Sequence, residues 1–164
     1  KPGETAVVLD LANGAHISFG KWGAAGVRGI NLVSYPFNDE IMNIDVDGAV
    51  KLIKQIKPTL ALNGQSVFLF PSPIKELAEA AHEVGAYLVY DGAHVLGLIA
   101  GKQFQDPLRE GADVMSGSTH KTLPGPQGGM IVSDHKGDTE QDKSFLRKLS
   151  FGVFPGITSS YSCS

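Results

Sequence analysis

Apolar residues along this chain recur with two different periods, and the alternation between those periods predicts a layered α/β protein. Short apolar runs at Thr5–Leu9, Ile30–Tyr35, Ala86–Tyr90, Ala112–Ser116 and Met130–Ser133 have the length and the β-branched or aromatic content of strands buried in a sheet. Between them, helical spacing places Val50, Ile53 and Ile56 on one face of Asp47–Lys57, with Asp47 as the expected N-cap and Pro58 as the stop. Ile74, Leu77, Ala78, Ala81 and Val84 do the same for a helix opened by Ser72-Pro73 and ended by Gly85, and Gln141–Leu149 reads as a third helix. Leu11–Gly29 shows little periodicity and is rich in Gly and Ala, which predicts an irregular loop able to approach a ligand closely. Pro36–Ile44 reads as a turn, and the apolar runs Thr59–Leu62 and Val67–Phe70 flank Asn63-Gly64-Gln65-Ser66. Strand, helix, strand followed by further buried strands predicts a mostly parallel sheet between helices, whose ligands sit beyond the carboxyl ends of the strands.

Composition narrows the class. The 164 residues, 42% hydrophobic and 19% charged, are those of a globular chain with a real core. A formal charge of −3 without a Lys/Arg block points to neither nucleic acid nor an anionic membrane as partner. Cys163 is the single cysteine and cannot form an internal disulfide, and no apolar stretch is long enough for a membrane helix, so a cytoplasmic setting is the expectation. The absence of an initiating Met before Lys1-Pro2-Gly3-Glu4 and the uncapped Ser159–Ser164 read as the ends of a fragment. No repeat or interdomain linker stands out.

Chemistry concentrates after two of the predicted strands. Asp91 and His94 follow Tyr87-Leu88-Val89-Tyr90, and Lys121 follows the next strand in Ser118-Thr119-His120-Lys121-Thr122, ahead of a Gly/Pro-rich turn. Lone lysines in loops are mostly solvated charges. A lysine that must act as an amine nucleophile needs desolvation or nearby positive charge, and packing of its turn between two strands is expected to supply the first. Asp91 is either a turn residue or a carboxylate held charged by a cationic partner such as a protonated pyridine nitrogen. His94 reads equally as a core histidine, and His16, in the Gly/Ala loop, equally as a solvated one or as a ring that stacks on an aromatic group. A metal-dependent hydrolase using Asp91, His94 and His120 is a competing reading, weakened by the lack of a His-x-x-x-His pair. A nucleotide loop around Lys121-Thr122 would need glycine where His120 stands.

Taken together, Asp91-Gly92-Ala93-His94-Val95-Leu96-Gly97-Leu98 and Thr119-His120-Lys121-Thr122-Leu123-x-Gly125-Pro126-x-Gly128-Gly129 resemble the serine hydroxymethyltransferase family of pyridoxal-phosphate enzymes. The resemblance extends through Gly14-Ala15-His16-Ile17-Ser18-Phe19-Gly20, Gly64-Gln65-Ser66, Glu83-Val84-Gly85-Ala86 and Val153-Phe154-Pro155-Gly156. It implies the three-layer, mostly parallel mixed sheet of the aspartate aminotransferase-like large domain, with residues 1–164 its central part and both an N-terminal segment and a C-terminal small domain lying outside them.

The same resemblance implies that Lys121 carries pyridoxal phosphate as an internal aldimine, Asp91 pairs with the pyridinium nitrogen and His16 stacks on the ring. It places Ser66 and His94 near the phenolic oxygen, with Thr119 and His120 lining the pocket. Ser159-Ser160 stand where the family's phosphate-contacting Gly-Gly pair belongs, and no metal is implied. The implied reaction moves a one-carbon unit between serine and glycine, with tetrahydrofolate as acceptor, in a homodimer or larger homo-oligomer. Phe68, Phe70, Pro124 and Gln127 replace a Tyr and Arg residues of the family pattern, which keeps a folate-independent aldolase or aminotransferase as the runner-up.

Overall fold

The computed structural model describes residues 1–158, which form two compact units, Lys1–Val132 and the segment from Ser133 onward. In the first unit six strands make one sheet: β1 (Thr5–Val8), β2 (Asn31–Ser34), β5 (Leu60–Gly64), β6 (Tyr87–Asp91), β7 (Val114–Ser118) and β8 (Gly129–Val132), in the spatial order β2-β1-β5-β6-β7-β8. All neighbours are parallel except β7 and β8. The lysine-bearing loop is what allows that reversal, since an antiparallel pair needs only a local connection whereas each parallel pair needs a crossover.

Register decides what meets at the carboxyl end of the sheet. Gly64 pairs with Asp91 and Asp91 with Ser116, so the ends of β5, β6 and β7 lie side by side. Helices α1 (Val46–Ile56) and α2 (Ile74–Glu83) pack on each other, and α2 packs on β5 and β6 as the crossover between them. Their buried faces, Ala49 and Ile53 on α1 and Ile74, Leu77, Ala78, Ala80 and Ala81 on α2, join Val7, Ala61 and Leu88 in one core. The small residues of α2 let the two helices and the sheet approach closely, and Lys54 pairs with Glu83 across the helices at 2.7 Å.

Several boundaries differ from the sequence expectation. Asp45, not Asp47, caps α1: its backbone is extended (φ −68°, ψ 103°) and its carboxylate accepts the Gly48 N–H at 3.2 Å. Asp47 already lies inside the first turn, where its charge meets the helix dipole but its side chain cannot cap. Pro36–Ile44 is a small hairpin of β3 (Phe37–Asn38) and β4 (Asn43–Ile44) rather than a plain turn, closed by the Asn38 side-chain oxygen accepting from Glu40 N–H. The Val67–Phe70 run is loop, with Val67, Leu69 and Phe70 exposed. The connection after β6 contains a short helix, α3 (Leu96–Ala100), absent from the sequence reading because five residues are too few to show a period. Leu11–Gly29 is irregular as expected, with three single-turn 3₁₀ segments.

The second unit carries α4 (Glu140–Val153), which is longer than the expected 141–149 because Thr139 caps it by accepting the Asp142 N–H at 3.0 Å. Within this unit His135 bonds Asp142 at 2.8 Å and its ring lies 4.5 Å from that of Phe145. No helix among the described residues is long and apolar enough to cross a membrane.

Candidate active site

A cavity of about 240 Å³ opens at the carboxyl ends of β6 and β7, lined by His16, Ser18, Asp91, Ala93, His94, Ser116, Gly117, Ser118 and Lys121. Four groups singled out in the sequence, His16, Asp91, His94 and Lys121, therefore converge although 105 positions separate the first from the last. The convergence follows from the sheet: adjacent parallel strands β6 and β7 release their chains at the same level, and the loop after β1 folds back over that edge.

Asp91 is the last residue of β6 and half-buried, and its Oδ1 accepts the Ala93 N–H at 3.0 Å. That bond both turns the chain and fixes the carboxylate. On the neighbouring strand, Gly64 leaves the room Asp91 needs: a Cβ there would lie 2.5 Å from Asp91 Cβ and 2.6 Å from its carbonyl oxygen. The preceding Tyr90 is fully buried; its hydroxyl donates to Gln105 Oε1 at 3.3 Å and its ring packs 6.1 Å from Phe68, so the strand end is anchored from behind. Phe68 also meets Phe104 edge-on at 5.7 Å and serves this packing.

His94 and His16 face each other with ring centroids 6.4 Å apart, tilted by 41°. Partial burial, then the Lys121 ammonium, and to a lesser extent His16, hold His94 below the ordinary histidine value of 6.5, against the opposing pull of Asp91. His94 is thus a neutral imidazole at neutral pH. His16 is the N-cap of the 3₁₀ turn Ile17–Phe19, its Nδ1 accepting the Ser18 N–H at 3.2 Å and lying 2.9 Å from Ser18 Oγ. An Nδ1 that accepts from a backbone N–H carries no proton, which leaves the proton of the neutral ring on Nε2.

Lys121 departs from expectation. Its side chain is exposed, so the turn does not desolvate it. What the loop supplies is attachment: Thr119 N–H donates to the Gly128 carbonyl at 3.0 Å, Thr119 Oγ1 donates to the Pro126 carbonyl at 2.7 Å, and Leu123 packs against the core.

The other expected site residues sit differently. Thr119 and His120 are not among the cavity lining; Thr119 spends its hydroxyl on closing the loop, and His120 is exposed. Ser66 is likewise outside the lining, and its N–H donates to the Gly14 carbonyl at 2.7 Å, tying the segment after β5 to the loop that carries His16. Ser159 and Ser160 lie outside the described residues. Sequence reasoning missed Ser18, Ser116, Gly117 and Ser118; the two strand serines and Gly117 were legible only as neighbours of Lys121. Among the described residues no three His, Cys, Asp or Glu side chains are grouped to hold a metal, which leaves the Asp91, His94 and His120 hydrolase reading without a ligand set.

The chain is similar to known proteins. Residues 1–161 match the family described as serine hydroxymethyltransferase. The chain is 55% identical over 161 residues to the serine hydroxymethyltransferase of Thermococcus kodakarensis, covering 98% of this chain and 36% of that protein. It is 52% identical over 161 residues to that of Pyrococcus abyssi, covering 98% and 37%. Among solved structures, L-threonine transaldolase from Pseudomonas fluorescens, in its internal aldimine state, superposes with a TM-score of 0.83 at 31% identity, covering 98% of this chain and 35% of that one. The chain thus spans about a third of the length of the relatives it matches.

Proposed function

We propose, since this chain belongs to the serine hydroxymethyltransferase family, that its residues form the central part of the cofactor-binding large domain of a pyridoxal-phosphate-dependent transferase, with Lys121 as the covalent attachment point. The complete protein transfers a hydroxymethyl group between serine and glycine, with tetrahydrofolate as the one-carbon partner, and works as a homodimer or larger homo-oligomer. The observation that carries this reading is the shared cavity of Lys121, Asp91, His94 and His16.

The donor set fits the cofactor. A primary amine suits an aldehyde, a fixed carboxylate suits a protonated ring nitrogen, and two imidazoles offer flat faces and N–H or lone-pair groups to a hydroxylated aromatic ring. All four groups line the one cavity of about 240 Å³.

When bound, pyridoxal phosphate supplies an electron sink for the pair released as a bond at the amino-acid Cα breaks. The chain's own residues do the rest. Lys121 Nζ would be the amine that holds the cofactor's aldehyde carbon. Asp91, one oxygen already held by the Ala93 N–H, would offer its carboxylate to the ring N–H. His94, kept neutral, can accept or donate one hydrogen bond at the ring oxygen without adding a second cation beside Lys121. His16 presents its face with the tautomer fixed by Ser18.

A second reading, a folate-independent aldolase or transaldolase acting on a hydroxylated amino acid, is supported by Phe68. Its ring is used in packing against Tyr90 and Phe104, so it brings no polar group to a folate. Borohydride reduction of the complete protein with pyridoxal phosphate, followed by peptide mapping, tests the common core of both readings. A pyridoxyl label on Lys121 is expected; label elsewhere, or none, overturns it. Serine cleavage that depends on tetrahydrofolate then separates the first reading from the second.

A further inference from the structure

Lys121 is exposed and stands three residues beyond the end of β7, yet it lines the same cavity as Asp91 and His94. Burial does not hold it there. The segment that follows Asp91 does, because it is joined to β7 and the lysine loop at four successive points. Gly92 N–H donates to the Ser116 carbonyl at 2.8 Å, and Ser118 Oγ donates to the Ala93 carbonyl at 3.2 Å. Leu96 fills the place of a side chain at Gly117, where a Cβ would lie 2.5 Å from Leu96 Cδ2. Gly97 N–H donates to Thr122 Oγ1 at 3.2 Å.

At Gly97 the approach leaves no room for a side chain. A Cβ on Gly97 would lie 2.1 Å from the Thr122 carbonyl oxygen, 2.5 Å from its carbonyl carbon and 2.9 Å from Leu123 N. The obstacle is main chain, which cannot swing aside as a side chain can, so any side chain at residue 97 must push α3 and the lysine loop apart. Gly97 lies within α3, where glycine is a poor helix former and alanine would be favoured were space available. Proximity to the loop is therefore the reason for glycine here. Thr122 is the residue after Lys121, and Leu123 beyond it is anchored in the core, so the contact at Gly97 acts directly on the peptide that carries the lysine.

We propose that Gly97 is a positioning residue which, through Thr122, sets the reach of Lys121 toward the group held between Asp91 and His94. The inference rests on the reading of Lys121 given above. In this arrangement α3 transmits the position of the β6 end to the β7 loop, so that carboxylate, imidazole and amine keep one mutual geometry.

The test uses the complete protein with pyridoxal phosphate and compares Gly97→Ala, Thr122→Val, Thr122→Ser and a control, Ile53→Ala, which removes core side-chain volume in α1 away from the site. For each, borohydride labelling of Lys121, the visible absorption band, kcat, KM and the melting temperature are measured. Displacement of a reacting group by an ångström costs on the order of 10²-fold. Gly97→Ala is expected to lose about that factor in kcat, with a shifted or bleached band and slowed labelling of Lys121, while KM for the amino acid stays within a few-fold. Thr122→Val should move the same readouts less, and Thr122→Ser, which keeps the acceptor hydroxyl, should restore them. Ile53→Ala should lower only the melting temperature. If Gly97→Ala and Thr122→Val behave like Ile53→Ala, with band, labelling and kcat unchanged, the positioning role is wrong though the assignment of Lys121 stands. If wild-type Lys121 is itself never labelled, both fall together. Should Gly97→Ala fail to fold, the contrast between Thr122→Val and Thr122→Ser decides.

Discussion

At the end of β6 the chain turns at once: Asp91 is half-buried, bonded to Ala93 N–H, backed by the buried Tyr90 and faced by a glycine on the next strand. At the end of β7 it runs on into a ten-residue connection, Thr119 to Gly128, whose lysine is exposed and whose own contacts are mostly turn bonds. Both ends lie on adjacent parallel strands and feed the same cavity. The difference teaches that carboxylate and amine are held by separate means. Strand register and a local turn locate Asp91, whereas Lys121 depends on contacts borrowed from α3 and from loop closure.

That contrast can be broken in stages. Lys121→Ala has the largest expected effect: complete loss of pyridoxyl labelling and of activity in the full protein, with stability within about 0.5 kcal/mol of wild type because the side chain is exposed. Mass mapping and a melting curve check both halves, and a label that survives at this segment would sink the assignment. Asp91→Asn keeps an oxygen for the Ala93 N–H but removes the charge. Cofactor binding is expected to persist while kcat drops on the order of 10²-fold, the cost of losing one preorganised electrostatic partner. Unchanged turnover would mean that the carboxylate serves only the turn.

Acid titration has a smaller effect and sharpens the comparison from the imidazole between the two ends. His94 lies below its ordinary value of 6.5, first by partial burial and next by Lys121. The unfolded chain therefore takes this proton first on acidification. The stability tied to neutral His94 is fully present above pH 6.5 and is lost as pH falls through the lower folded value. Activity that needs the neutral ring should fall by about tenfold per pH unit below that point and not before it. Removing the lysine ammonium should raise the His94 midpoint, so a ring-proton NMR titration that reads the same in Lys121→Ala as in wild type would contradict the stated cause. The smallest effect is expected for Thr119→Val, which deletes the bond to the Pro126 carbonyl: about 1 kcal/mol, seen as roughly fivefold faster amide exchange confined to residues 120–128.

Much of the fold was legible in the sequence because its signals are local. Helix α2 announces itself by five apolar residues at helical spacing, a Ser-Pro start and a glycine stop, and Tyr87–Asp91 reads as a buried strand from composition alone. The errors arose where two residues competed for one role or where a signal was too short. Asp45 and Asp47 are chemically identical, and what makes residue 45 the cap is its extended backbone and its bond from the Gly48 N–H.

Asp91, His94 and Lys121 were recognisable as reactive types near predicted strand ends and His16 as one in the Gly/Ala loop, and the linear order of the elements implied a parallel sheet with its site beyond those ends. Sequence alone therefore determined which reactive side-chain types the chain carries and near which edge of the sheet they lie, because side-chain type and hydrophobic period are properties of neighbouring residues. Tertiary structure decided what holds those groups together. The closeness of Gly64 to Asp91, of Gly97 to Thr122 and of Leu96 to Gly117 is a distance between segments far apart in the chain, and no local pattern encodes it. The same holds for the environment of Lys121: whether a turn buries or exposes its lysine depends on what packs over it, and here the answer was exposure.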